Sequence, residues 1–288
     1  NDAINKVARI FYAKPSDKLK MYGVTGTNGK STITNIIRDM INDKTPCGYI
    51  GTIAIKYGDI ELQPNLTTPD ALFLQSKLAD MVRVGMKACA LEVSSHGLAQ
   101  HRVDGISFDC AIFTNLTYDH LDFHGTMENY FEAKSLLFKN LVKENGVSIL
   151  NRDDEKYEAL KDCSKARVVS YGINKEADYR AINIKMSSQG TQFDLVYLGH
   201  MYPIKTNLVG NFNVYNLLAA MSALNETGYD LDKIIEKCSH IAQVEGRMER
   251  IDCGQPYNVI VDFAHTPDGM EKMMQFGRNI TMPGHRLI

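Results

Sequence analysis

Gly23-Val24-Thr25-Gly26-Thr27-Asn28-Gly29-Lys30-Ser31-Thr32 is the stretch on which the reading of this chain turns. Lys20 to Thr25 reads as a short strand and Lys30 to Ile41 as a helix. A glycine-rich turn between them lets backbone N–H groups wrap phosphate oxygens at the positive end of the helix. Lys30 can reach the β- and γ-phosphates, and the Ser31 hydroxyl can hold Mg²⁺. The strict Walker spacing is missed, because five residues separate Gly23 from Gly29 where four are usual. Gly26, Thr27, Asn28, Gly29, Lys30, Ser31 and Thr32 are therefore expected to bind ATP.

Outward from the loop, short apolar runs alternate with helical ones. Tyr49 to Tyr57 reads as a strand and Asp70 to Val84 as a helix. Ala88 to Val93, Cys110 to Thr114 and Val147 to Leu150 read as buried strands, with a long helix over Thr126 to Val142. This alternation implies an α/β fold, a mainly parallel sheet covered by helices. Around Gly190 and Gly199 the pattern changes to antiparallel hairpins, a small antiparallel subregion. Helices over Asn211 to Thr227 and Leu231 to Ile241 and two short strands, Arg250 to Asp252 and Asn258 to Asp262, complete the pattern.

Composition excludes several classes. Among 288 residues, 44% are hydrophobic and 23% charged, so disordered and collagenous readings fall away. A net charge of −2 gives no basic excess for nucleic acid or an anionic membrane. No apolar run approaches the ~20 residues of a spanning helix. Six scattered cysteines without a C-x-x-C pair suggest a reduced, cytoplasmic protein. The start lacks both an initiator Met and a signal-peptide plan, and no complete domain follows the last strand pair, so both ends are expected to be cut ends.

Glu92 ends a buried strand, where α/β enzymes present catalytic groups, and is expected as a Mg²⁺ ligand. His120 and His124 stand four apart, but Gly125 and the intervening residues weaken a zinc reading, and no third soft ligand is nearby. Lys134 lies at helical spacing with Tyr130, Phe131 and Phe138; such a lysine either snorkels to solvent or is buried with a lowered pKa. A helix cap by Thr68, ahead of Pro69, accounts for one of Thr67 and Thr68. Asn211 or Asn213 would cap the later helix, whereas Asn216 lies inside it, where Asn is a poor choice.

Gly-Thr-Asn-Gly-Lys-Ser resembles the Mur ligase superfamily, which includes folylpolyglutamate synthetases. Glu92-Val93-Ser94-Ser95-His96-Gly97-Leu98 and Asp119-His120-Leu121-Asp122-Phe123-His124-Gly125 resemble the type that adds the third residue of the peptidoglycan stem peptide. The resemblance runs from about Phe11 to Asp268. It implies magnesium at Ser31, Glu92 and His120, and a CO₂-derived carbamate on Lys134, as a further metal ligand. It implies substrate contacts at Thr67, Thr68, Ser94, Gln100 and Arg102; Leu66 stands where the family often has Asn. It places Asn216 beside adenine, Arg247 at the γ-phosphate and Asp262 at the ribose hydroxyls, and gives His265 no definite role. Lys30, Glu92, His120, Lys134 and Arg247 would be catalytic. The implied partners are UDP-MurNAc-dipeptide and an amino acid, meso-diaminopimelate favoured over L-lysine as the commoner choice, with no obligate protein partner. The implied division is 1–20 as a remnant of a uridine-nucleotide domain, 21–265 as the central ATP-binding domain, and 266–288 as the start of an amino-acid-binding domain. Two alternatives stand beside it: another ligase of the superfamily, such as a folylpolyglutamate synthetase, and a nucleotide-binding module without catalysis.

Overall fold

The computed structural model describes residues 2–288. Helix α1 (Asp2–Phe11) precedes strand β1 (Lys20–Thr25), which runs through the glycine-rich loop into α2 (Lys30–Ile41). Then come β2 (Cys47–Ile50), β3 (Ile55–Tyr57), β4 (Ile60–Leu62), α3 (Ala71–Arg83), β5 (Ala88–Glu92), α4 (Ser95–Ala99) and β6 (Phe108–Phe113). Helices α5 (Leu121–His124) and α6 (Met127–Leu136) lead to β7 (Val142–Asn151), α7 (Tyr157–Cys163) and β8 (Arg167–Gly172). Strands β9 (Tyr179–Ser187), β10 (Gly190–Tyr197) and β11 (His200–Thr206) follow. The chain closes with α8 (Asn211–Glu226), α9 (Leu231–Lys237), β12 (Glu249–Ile251), β13 (Val259–Val261) and α10 (Pro267–Ile280).

Strands β1 to β11 form one sheet in the order β11-β10-β9-β8-β7-β6-β1-β5-β2-β3-β4. Pairing is parallel from β2 through β9 and antiparallel at both flanks. Strand β1 lies between β5 and β6, so the chain order reverses beside it. A crevice opens at such a switch point, at the carboxyl ends of the strands, and the loop after β1 lies there.

Alternation along the strands divides the core in two. Tyr22 and Val24 face α2, α8 and α9, together with Ile33, Ile37, Leu217 and Leu224. Met21, Leu91, Phe108 and Phe113 face the other layer, with Leu74, Leu78, Leu137 and Phe138. Gly23 belongs to β1 rather than to the loop: a Cβ there would sit 2.7 Å from the Phe108 ring. That packing, and not phosphate, accounts for this glycine.

Several expectations are corrected. Tyr49 to Tyr57 is a hairpin and not one strand, because the chain turns at Gly51, whose N–H bonds Ala54 O at 3.1 Å. The long helix is α-helical only to Leu136, then widens into a π turn over Leu137–Leu141 that buries Leu137, Phe138 and Leu141 and enters β7 directly. The antiparallel hairpins expected around Gly190 and Gly199 are present as β9 to β11 and extend the main sheet, and β12 with β13 forms a second, two-stranded sheet. Asp70, not Thr68, caps α3 by accepting from Phe73 N. Gly210 opens α8 with no side-chain cap, so Asn211 and Asn213 are not its caps. Residues 2–11 form a helix anchored by Asn5, whose amide donates to His101 O at 2.6 Å and accepts from Gly105 N at 3.2 Å. Among the described residues, no helix is long and apolar enough to cross a membrane.

Candidate active site

The loop is held open from beneath by the end of β6. Thr114 Oγ1 donates to Asn28 O at 2.6 Å, Asn115 Oδ1 accepts from Asn28 N at 3.0 Å, and Thr27 N donates to Asn115 O at 2.9 Å. Gly26 (φ +145°) lies so close to Thr114 that a Cβ would meet its hydroxyl at 1.8 Å. Gly29 (φ +93°) is the left-handed N-cap of α2, and a Cβ there would meet Asn216 Oδ1 at 2.5 Å. Both positions need glycine, one chiefly for space and the other for conformation and space. The Lys30 ammonium folds back onto Gly26 O (2.9 Å) and Thr27 O (2.8 Å). Burial lowers its pKa, against the opposing charge of Glu92.

Glu92, at the carboxyl end of β5, is fully buried yet has four donors. Tyr49 OH (2.7 Å) and Thr52 N (2.9 Å) bond Oε1; Ser31 Oγ (3.0 Å) and Thr52 Oγ1 (3.1 Å) bond Oε2. Arg247 Nη2 reaches Ser31 Oγ at 3.3 Å across 216 residues of sequence. Lys134 is 1% exposed, so the solvent-seeking alternative is excluded. Its ammonium donates to Gly26 O at 2.9 Å and lies 4.4 Å from the Tyr130 ring centre. Burial, reinforced by Lys30, pushes its pKa well below the usual lysine value. His120, in left-handed conformation, packs its ring 4.8 Å from that of His96 and places Nε2 3.3 Å from Asp119 Oδ2. Burial lowers its pKa, with Asp119 opposing.

Beside the loop a cavity of about 560 Å³ is lined by Gly29, Thr32, Asn216, Arg247 and Asp262, residues from the first to the last strands. Asp262 accepts from Met248 N and Ala264 N, both at 2.8 Å, which ties the end of β13 to the Arg247 turn. The Arg247 guanidinium lies 5.1 Å from the Phe263 ring centre. Asn216 donates to Asn213 Oδ1 at 3.0 Å inside α8.

Residues 24–224 match the family model described as Mur ligase middle domain. The chain belongs to the Mur ligase family. It is 43% identical over 276 residues to the UDP-N-acetylmuramoyl-L-alanyl-D-glutamate–2,6-diaminopimelate ligase of Halalkalibacterium halodurans, covering 95% of this chain and 57% of that protein. It is 40% identical over 279 residues to the ligase of the same name from Listeria monocytogenes, again covering 95% and 57%. The chain thus spans a little over half the length of these relatives. A solved structure of a 2,6-diaminopimelate ligase of that name superposes with a TM-score of 0.85 at 31% identity, covering 98% of this chain and 59% of that one. Folylpolyglutamate synthase of Mycobacterium tuberculosis shares the fold, with a TM-score of 0.79 at 16% identity over 97% of this chain and 71% of that one.

In this chain the residues for which substrate contacts were expected from sequence form one network against Glu92. Thr68 Oγ1 donates to Glu92 O (2.8 Å) and accepts from Ser94 N (2.9 Å). Arg102 donates to Thr68 O at 2.9 Å and bonds Gln100 Oε1. Thr67 Oγ1 meets Thr52 Oγ1 at 3.0 Å, and Ser94 Oγ caps α4 by accepting from Gly97 N. Thr68 is buried, so its hydroxyl serves this framework. His265 Nδ1 lies 3.0 Å from Phe263 O, and its residue lines the cavity. Sequence reading missed Tyr49 and Thr52 at Glu92, Thr114 and Asn115 under the loop, and Asp153, Asn174 and Tyr215 on the far wall of the cavity. Asn151-Arg152-Asp153-Asp154, polar residues directly after an apolar strand, was the available signal for part of that wall.

Proposed function

We propose that this chain is the ATP-binding centre of a ligase that joins 2,6-diaminopimelate to UDP-N-acetylmuramoyl-L-alanyl-D-glutamate in peptidoglycan synthesis, in the cytoplasm. The observation that carries it is the convergence of Lys30, Ser31, Glu92 and Arg247 on one glycine loop beside a nucleotide-sized cavity. The shared name of relatives at 40–43% identity supports the substrate, and the choice of diaminopimelate over L-lysine. Within this reading residues 21–265 are the ATP-binding domain, 1–20 lead from a uridine-nucleotide domain, and 266–288 begin an amino-acid-binding domain.

In the reaction the glutamyl carboxylate attacks the γ-phosphorus of ATP, giving an acyl phosphate and ADP. The amine of the amino acid then adds to the acyl carbon, and phosphate leaves as the amide forms. The loop N–H groups hold phosphate oxygens at the start of α2. Lys30 exchanges Gly26 O and Thr27 O for phosphate, and Arg247, which reaches Ser31 Oγ, adds a second positive charge there. Asn216 and Asp262 take the base and ribose ends of the nucleotide. Most of the catalysis is positioning and charge neutralisation between two anions.

The Ser31 hydroxyl and Glu92 carboxylate, in contact at 3.0 Å, are hard oxygen donors of the kind magnesium takes, and the family resemblance adds His120 as a further donor. A magnesium ion bound there supplies neutralisation of phosphate charge. The buried Lys134 amine, whose pKa desolvation lowers well below the usual lysine value, suits addition to CO₂, and a carbamate there would supply an anionic oxygen ligand. The test is Mg²⁺-dependent ATP binding by this chain, followed by ADP formation in a complete ligase containing it. ADP release should require both UDP-MurNAc-dipeptide and diaminopimelate. Release with L-lysine alone would refute the substrate, and absence of ATP binding would refute the site.

A further inference from the structure

The far wall of the cavity carries polar groups that phosphate chemistry does not use: Asp153, after β7, Asn174, after β8, and Tyr215, on α8. Asp153 Oδ2 accepts from Ile173 N (2.7 Å), Asn174 N (2.9 Å) and Tyr215 OH (2.7 Å), and Oδ1 accepts from Lys175 N (2.8 Å). Burial raises the Asp153 pKa, but these four bonds outweigh it and bring it below the usual carboxylate value. The carboxylate is therefore ionised and accepts only. Burial and Asp153 raise the Tyr215 pKa, so that phenol keeps its proton.

The consequence is a fixed direction for each proton. A tyrosine hydroxyl has one hydrogen, and here Asp153 receives it. Toward Asn174 the same oxygen can only accept, and Asn174 Nδ2 lies 3.2 Å away. The two ends of an amide are nearly identical in shape and are told apart by their partners. With its NH₂ committed to Tyr215, Asn174 presents Oδ1 at the cavity wall.

We propose that Asp153, Tyr215 and Asn174 form a relay that presents an oriented acceptor to the nucleobase, so that the site selects a purine with an exocyclic amine over one with a carbonyl in that place. The proposal rests on the nucleotide reading above and names its base specificity. Adenine offers an N–H donor to Asn174 Oδ1. Hypoxanthine has nearly the same shape but puts an oxygen there, opposing two acceptors. A site built to hydrogen-bond a substrate N–H rejects an analogue that lacks it. Asn174 is the specificity-determining residue; Asp153 and Tyr215 are positioning residues.

The test is equilibrium binding of ATP and of inosine triphosphate, with Mg²⁺, to the chain and to two variants. The unsubstituted chain should favour ATP by roughly tenfold or more, the worth of one well-made hydrogen bond against an opposed pair. Tyr215→Phe keeps the ring but frees the amide to turn over, so the ratio should fall toward one, mainly through tighter inosine triphosphate binding. A purely structural role for Tyr215 would not improve any ligand. Asn174→Ala, at an exposed position, should weaken ATP while leaving inosine triphosphate unchanged. Equal affinities in the unsubstituted chain, or an unaltered ratio in both variants, would overturn the relay and leave the nucleotide site standing. Failure to bind either triphosphate would overturn the nucleotide reading and the relay with it.

Discussion

Lys134→Met should make the chain more stable while removing its function. The lysine is 1% exposed and its ammonium has one hydrogen bond, to Gly26 O at 2.9 Å, and one aromatic face, Tyr130 at 4.4 Å. Losing that bond costs about 0.5–1.5 kcal/mol. Losing the cation–π contact costs about 0.5–2 kcal/mol. Gly26 O is not orphaned, because Lys30 still donates to it at 2.9 Å. Against these losses, an uncompensated buried charge destabilises by about 3–5 kcal/mol, which the uncharged and similarly shaped Met removes. The net expectation is a gain of about 2 kcal/mol near neutral pH. The pH dependence has a definite sign. Lys134 has a lowered pKa in the folded chain, so the unfolded chain binds more protons between that pKa and the unfolded value, ~10.4. Stability of the unsubstituted chain therefore rises with pH through that window, and the advantage of Met shrinks toward its upper end. Urea unfolding in CO₂-free buffer at several pH values from 6.5 to about 9.5 reads both quantities. A Met variant clearly less stable at pH 7, or a difference that does not vary with pH, would refute a desolvated amine and with it the physical basis for carbamylation.

Lys30→Ala should weaken ATP binding by roughly ten- to a hundredfold, the worth of one or two charge-assisted bonds, measured by calorimetry with Mg²⁺; an unchanged affinity would mean that the loop does not hold phosphate. Thr68→Val should destabilise by about 2–4 kcal/mol, because Glu92 O loses a donor and Ser94 N an acceptor inside the fold; Thr68→Ser should recover most of it, and equal unfolding midpoints for Val and Ser would contradict the assigned bonds. His124, with Nε2 2.9 Å from Ser95 Oγ, has its pKa lowered to about 4 by burial and by His96 and Lys134. It stays neutral when folded, while the unfolded chain binds its proton near pH ~6.5, so stability should fall as pH drops from there toward 4. His124→Gln should flatten that part of the pH profile, and an unchanged slope would assign the acid sensitivity elsewhere.

What could be read along the chain is what neighbours decide. Lys20 to Thr25 and Lys30 to Ile41 have the bounds expected from sequence, because β-strand alternation, a glycine turn and helical spacing act within a few residues. The same holds for the hairpins around Gly190 and Gly199, and for Glu92 at a strand end. Where nearby residues offer two local solutions, sequence alone chose wrongly: Thr68 and Asp70 both could cap α3, and the tie was broken by Glu92 O and Ser94 N, which engage the Thr68 hydroxyl from another strand. Tertiary structure alone brought Arg247 to Ser31, put Tyr49 and Thr52 around Glu92, and assembled the wall of Asp153, Asn174 and Tyr215. Those meetings depend on strand order, with β1 between β5 and β6 and α8 laid across the sheet. Strand order is settled by burying whole faces of the sheet at once, a long-range free energy that no local pattern records.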